Sequence, residues 1–274
     1  MVTVIQNITS SPWGNSDYLI CNRKTDTAIA VDPWDIGQLS KLAESDGYEI
    51  SAIFITHTHR DHIAGTQAYL SSLTNMADAV PIFCHEMAKS QIVSAQLRKA
   101  GDEFWAGLIG VIETPGHRPE HISLFIPQAI WRRNSPSDGL SEPSASFSPV
   151  IIAGDCLFDS GVGNCTNGGD PAILFETVSN TIMKLKKTTL VFAGHDYRIR
   201  NLEFALSIEP LNKDIQKALS SKSSAPSNIQ EQLKLNPFFR FDHPDVRAHL
   251  AQRELPHETS KERFCSLREL RDSW

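Results

Sequence analysis

The 274-residue chain lacks several features that would have defined a class at once. No run of 18 apolar residues occurs, which excludes a membrane-spanning helix. The opening MVTVIQNITSSPWG carries no basic segment ahead of an apolar stretch, so a secretory leader is not expected. Cysteine numbers only five, an odd count without a CxxC pair, which argues against a disulfide framework and for a reducing cytoplasm. Basic residues do not outnumber acidic ones: 26 stand against 32, net −6. The chain therefore lacks the positive surplus of a duplex nucleic-acid binder. Internal repeats are absent, and the glycine-rich GVGNCTNGG lacks the Lys-Ser/Thr ending of a phosphate loop. What is present is a 41% hydrophobic content, enough for a real core, in a length that fits one large domain or two modest ones.

Charge is unevenly spread. Residues 1–196 carry 13 basic and 21 acidic side chains, whereas residues 197–274 carry 13 and 11. Basic helix faces that meet only solvent and a surface that attracts an anion both produce such a count. Runs at 2–8, 16–22 and 27–31, rich in Val, Ile and Thr, read as strands. Residues 35–46 have helical spacing, 51–55 form an apolar strand, and 65–73 read as the next helix. Further strands are expected at 80–84, 108–113, 121–126, 150–153 and 189–193, with a helix at 171–187 after Pro171. Beyond Tyr197 the spacing is helical to the end. Residues 131–149, with six Ser and three Pro in 19 positions, read as a mobile polar surface loop.

The chemistry gathers in four places. THTHRDHIAG, at 56–65, packs His57, His59, Asp61 and His62 into six residues directly after an apolar strand. Alternate residues of an extended segment point the same way, so His57 and His59 can converge on one ion, with Asp61 and His62 facing a neighbouring point. Imidazole suits zinc or iron, and a carboxylate makes a harder site. ETPGH ends in His117, IAGD in Asp155 and FAGH in His195. Each of these follows a strand and sits in a glycine-containing turn that lets backbone approach closely. A single structural zinc needs four ligands. Five His and two Asp suit two ions that share a bridging carboxylate.

The order THTHRDH, PGH, GD, GH resembles the metallo-β-lactamase superfamily, and the tail segments GHDYRIRNLEFALSIEP and LNPFFR resemble its glyoxalase II (hydroxyacylglutathione hydrolase) branch. The resemblance covers nearly the whole chain. It implies an α+β fold, a four-layer αββα sandwich over residues 1–196 followed by an all-helical substrate-binding domain over 197–274. It implies that His57, His59 and His117 hold one divalent ion, that Asp61, His62 and His195 hold a second, and that Asp155 bridges them. Zinc is the first expectation for both ions, with iron or manganese as alternatives. The implied reaction is hydrolysis of S-lactoylglutathione to lactate and glutathione by attack of metal-bound hydroxide, with Asp61 and Asp155 as the catalytic carboxylates. No membrane or nucleic-acid partner is implied.

Departures from the family pattern fall in the thiol-binding region. Asn164 stands where a basic residue is common and Thr166 where an aromatic is common, whereas Tyr197 matches a glutathione-contacting tyrosine. Arg240, in NPFFR, is expected to supply a cation. The 131–149 segment looks like an insertion. His121 is expected to pack beside the ligands, and Cys156, next to Asp155, offers a thiol near the metals. The competing readings are a mononuclear iron persulfide dioxygenase using His57, His117 and Asp155, a structural metal protein, and a lactonase or β-lactamase.

Overall fold

A computed structural model describes residues 1–9, 11–92, 96–98, 101–221 and 225–274. Contacts divide the chain into two compact units, Met1–Glu113 with Glu120–Gly154, and Thr114–Pro119 with Asp155–Trp274. The first is built on one mixed sheet. Its strands are β1 (Val2–Ile8), β2 (Ser16–Asn22), β3 (Thr27–Val31), β4 (Glu49–Phe54), β5 (Ile82–His85), β6 (Gln96–Arg98), β7 (Glu103–Phe104), β8 (Ile109–Glu113), β9 (Ile122–Ser135), β10 (Gly139–Leu140) and β11 (Ser148–Gly154). The spatial order is β11-β9-β1-β2-β3-β4-β5-β6, with β8 on β9, β7 on β8 and β10 on β9. β3, β4, β5 and β6 run parallel, so the chain must cross back between β3 and β4 and between β4 and β5. Helices α1 (Ile36–Ser45) and α2 (Arg60–Ser72) make those crossings.

Local sequence explains these elements. β2 is buried along its whole length, as a central strand must be. Asp35 caps α1 by accepting a hydrogen bond from Gln38 N at 3.1 Å, and Leu39 and Ala43, four apart, face the core. That core gathers Ile5, Leu19, Cys21, Ile53, Ile55, Ile63, Ile82 and Cys84, all buried.

In this unit two expectations change. Helix α2 begins at Arg60, not at residue 65, so Asp61 and His62 lie in its first turn, where a carboxylate suits the positive helix end. Gly65 is therefore inside the helix. A Cβ there would stand 2.1 Å from Pro33 O and 2.3 Å from Trp34 O, so only glycine lets α2 lie against the segment after β3. The 131–149 segment is no free loop. β9 continues to Ser135 in parallel register with β1, Val2 opposite Ala129 through Asn7 opposite Asn134, and β10 folds back on it. Ladder bonds come from the main chain and tolerate polar side chains, and Arg132 adds an ion pair with Asp46 at 2.5 Å.

The second unit holds a two-stranded ribbon, β12 (Leu157–Phe158) with β13 (Gly161–Val162), and the strand β14 (Leu190–Ala193). Its helices are α3 (Pro171–Asn180), α4 (Arg198–Ile208), α5 (Lys213–Ser220), α6 (Ile229–Leu235), α7 (Pro244–Gln252) and α8 (Ser260–Asp272). α3 stops at Asn180, short of the expected 187, and a single 3-10 turn follows. Capping boxes at Asn228/Glu231 and Thr259/Glu262 start α6 and α8. Edge-on contacts link Phe175, Phe241, Phe264 and Phe238 into an aromatic core. Among the described residues, no helix is long and apolar enough to cross a membrane.

Arg240 belongs to this interior. Its guanidinium grips Glu209 in a bidentate pair at 2.8 and 2.7 Å, and the Glu209 side chain has no solvent exposure. Arg240→Ala would strip that buried carboxylate of its bidentate partner and leave it only His243 Nδ1, 3.3 Å away. Its expected cost is about 3–5 kcal/mol in urea unfolding, largely recovered in the Arg240→Ala/Glu209→Gln double variant. A loss below about 0.5 kcal/mol would mean the pair is worth no more than a surface ion pair.

Candidate active site

Strand ends present the candidate donors. In the first unit, β4 runs into Thr56 and His57, and α2 starts three residues later. His57 and His62 are buried, His59 and Asp61 half-buried, and Arg60 is exposed. His57 Nε2 and His59 Nδ1 stand 3.1 Å apart. Two ligands at about 2.0–2.1 Å from a tetrahedral ion lie roughly 3.3 Å apart, so this spacing fits a shared metal. His62 Nε2 faces Asp61 Oδ2 at 3.7 Å. His121 stacks on the His57 ring with centroids 5.1 Å apart, a packing role that keeps the ring in place.

Asp32, at the end of β3, organises this set. Its Oδ1 accepts from Thr56 N at 2.7 Å, and its Oδ2 accepts from Thr56 Oγ1 at 2.5 Å and His62 Nδ1 at 2.9 Å. Since the Thr56 hydroxyl donates to Asp32, it accepts from His57 Nδ1 at 3.0 Å. Both imidazoles therefore carry their proton on Nδ1 and hold the Nε2 lone pair for ligation. Asp32, His57 and His62 offer ligand atoms within 4.8 Å of one another. The backbone of Asp32 is left-handed, φ 46°, a conformation a non-glycine residue keeps only when its surroundings hold it. Nearby Asp17 accepts from Trp34 N at 3.0 Å, and burial, reinforced by the Asp32 charge, holds its carboxyl well above the usual carboxylate range. Asn15 Nδ2 reaches Asp61 Oδ2 at 3.2 Å, and buried Glu120 accepts from Thr58 Oγ1 at 2.5 Å.

In the second unit, His117, Asp155 and His195 are all buried. Asp155 Oδ2 faces His117 Nε2 at 3.7 Å and His195 Nε2 at 3.5 Å. His117 Nδ1 donates to the Asn164 carbonyl at 2.6 Å, which again leaves Nε2 as the ligating nitrogen. A Cβ on Gly163 would stand 2.1 Å from Asp155 O and 2.8 Å from His117 Nδ1, so glycine is what lets this loop close on both donors. Cys156 is fully buried, and desolvation pushes its thiol far up, so it is a neutral packing residue. Asp196 turns to the start of α4, accepting from Arg198 N at 3.3 Å.

A cavity of about 320 Å³ opens on Asp155 and is lined also by Phe158, Asn164, Thr166, Tyr197, Arg200, Arg268 and Arg271. Tyr197 lies flat against the His195 ring, 7° from parallel with centroids 5.1 Å apart. Arg268, buried, donates to Val162 O at 2.8 Å and Gly163 O at 3.1 Å and so braces the loop that holds His117. Arg271 donates to Asn201 Oδ1 at 3.3 Å; burial, then the charges of Arg268 and Arg200, push its guanidinium down to about 10. Asn164 and Tyr197 thus line the pocket as expected positions, whereas Arg240 is not among its lining residues. The cations there sit on α4 and α8, which sequence spacing alone did not single out. Asp32 was equally missed, although it follows an apolar strand just as Asp155 does.

The histidine and aspartate donors, with their tautomers set by hydrogen bonds, define a chain built to use divalent metal. Similarity to solved structures adds the fold. ETHE1 from Myxococcus xanthus matches with TM-score 0.62 at 20% identity over 97% of this chain and 89% of that one. The BLEG-1 B3 metallo-β-lactamase matches with TM-score 0.59 at 19% identity over 86% of this chain and 99% of that one. The fold is that of the metallo-β-lactamases, α+β with a helical C-terminal region. Residues 196–274 match the family model described as the hydroxyacylglutathione hydrolase C-terminus. Hydroxyacylglutathione hydrolase of Nitrosococcus oceani is 33% identical over 97% of both chains. The chain belongs to the hydroxyacylglutathione hydrolase family.

Asp32→Asn replaces one accepting oxygen with a donor and so disturbs either Thr56 or His62. The expected result, read by chelator competition, is a tenfold to hundredfold loss of metal affinity, about what an outer hydrogen-bond partner contributes. Unchanged affinity in a folded sample would remove Asp32 from that role.

Proposed function

We propose that the chain is a metal-dependent thioester hydrolase that converts S-lactoylglutathione and water to lactate and glutathione. The observation that carries this reading is the double position of Asp155: it is the carboxylate that His117 and His195 face, and it also lines the arginine-bearing pocket. A reacting carbonyl at the metal end and a substrate carboxylate at the cationic end then fit one cavity.

The donors are assigned as two sets: His57, His59 and His117 for one divalent ion, Asp61, His62 and His195 for the other, with Asp155 shared. Zinc is the first choice, and iron or manganese suits the same donors. When bound, such ions acidify water and polarise a carbonyl oxygen. The chain's own residues do the rest. Asp32 and the Asn164 carbonyl hold the imidazole protons on Nδ1. Tyr197 flanks His195 at the pocket wall, and Asn164 and Arg271 line the space for the thiol half of the substrate. Residues 197–274 act as the helical substrate-binding part. The leaving thiol has a pKa of about 8.5 and departs as thiolate without a strong general acid. No side-chain nucleophile is needed, in keeping with the neutral Cys156. The five cysteines, all free thiols, suit a reducing cytoplasm.

The assay is hydrolysis of S-lactoylglutathione by protein stripped with chelator and reloaded with zinc, manganese or iron. The expected outcome is no turnover when stripped and recovered turnover when loaded. A folded, metal-loaded sample that turns over no glutathione thioester would overturn the proposal.

A further inference from the structure

The pocket beside Asp155 holds more positive charge than the protein itself answers. Of its three arginines, Arg268 is committed to two backbone carbonyls and to Asp272 at 2.9 Å. Arg271 donates to Asn201, and its guanidinium lies 5.6 Å from the Phe204 ring centroid and 5.3 Å from that of Trp274. Arg200 is exposed, lines the same cavity, and makes no ion pair with any described residue. Glu203, one turn along α4, is not within ion-pair distance. The depressed Arg271 guanidinium reports the crowding, since Arg268 and Arg200 both contribute to it. Like charges held this close are relieved by an anion.

Placement supplies the rest. Arg200 is three residues after Tyr197 and on the same side of α4, a rise of about 4.5 Å. Tyr197 lies flat on His195, and Tyr197 and Arg200 both line the cavity that Asp155 lines. A second cavity, of about 490 Å³, also has Tyr197 and Arg200 in its wall, together with Asp196, Ile199, Glu203 and Trp274.

We propose that Arg200 is a specificity-determining residue that anchors a carboxylate of the substrate's thiol half at the mouth of this pocket. This rests on the thioesterase reading. Arg200 makes a two-pronged charged contact, so a thiol carrier with a free carboxylate is selected over one that is neutral there.

Steady-state kinetics on the metal-loaded full chain test it, with S-lactoylglutathione and the S-lactoyl thioester of glutathione diethyl ester. Arg200→Ala is expected to raise KM for the charged substrate about tenfold, with a much smaller effect on kcat and on the neutral substrate. Arg200→Lys should regain part of the loss. An unchanged KM, or an equal rise for both substrates, overturns the proposal. If the wild type hydrolyses neither, the thioesterase reading fails, and calorimetry with S-methylglutathione decides on Arg200. A roughly tenfold weaker binding in Arg200→Ala sustains the anchor; equal affinity, or no binding to the wild type, removes it.

Discussion

The buried carboxylate of Asp32 accepts three hydrogen bonds, two from Thr56 and one from His62, and much of the metal-binding face follows from them. Through the Thr56 hydroxyl it fixes the tautomer of His57, and directly it fixes that of His62. It also joins three elements, the end of β3, the end of β4 and the first turn of α2, at one point. Holding a left-handed backbone at Asp32 costs about 1–3 kcal/mol, which three bonds to a carboxylate offset. A metal site needs ligands of defined protonation and direction before the ion arrives, and this carboxylate supplies both.

Close backbone approach is the second constraint. Gly65 lets α2 lie against Pro33 and Trp34, which keeps Asp61 and His62 at the end of the sheet. Gly163 lets its loop close over Asp155 and His117, and Arg268 holds that loop from the α8 side. In the second unit this same bracing places a carboxylate beside a cavity rich in arginine. Burial there shifts two groups in opposite directions: it pushes the Cys156 thiol up, keeping it neutral, and it pushes the Arg271 guanidinium down.

How much of this could be read in the sequence depends on the distance over which each signal acts. Four donors in six residues after an apolar strand are a local signal, and THTHRDH was legible for that reason. The strands ending in Asp155 and His195 were legible through their apolar runs and glycine turns. Asp32 carried the same signature in AVDPW but lacked nearby donors to draw notice. Arg271 sits in an ordinary amphipathic helix, and only folding brings it to the pocket; Arg240 looked equally available, yet Glu209, 31 residues away, claims it. The continuation of β9 to Ser135 was hidden because main-chain pairing with β1 leaves little trace in a Ser- and Pro-rich stretch.

On the proposed function, His57, His59 and His117 hold one divalent ion and Asp61, His62 and His195 a second, with Asp155 shared. Metal stoichiometry tests it most directly, by titrating stripped protein with zinc against a chromogenic chelator and confirming the mass of the native loaded chain. The expected result is two ions bound per chain, with Asp155→Ala losing tight binding of at least one. A wild-type chain that saturates at one ion, or binds none tightly, would contradict it.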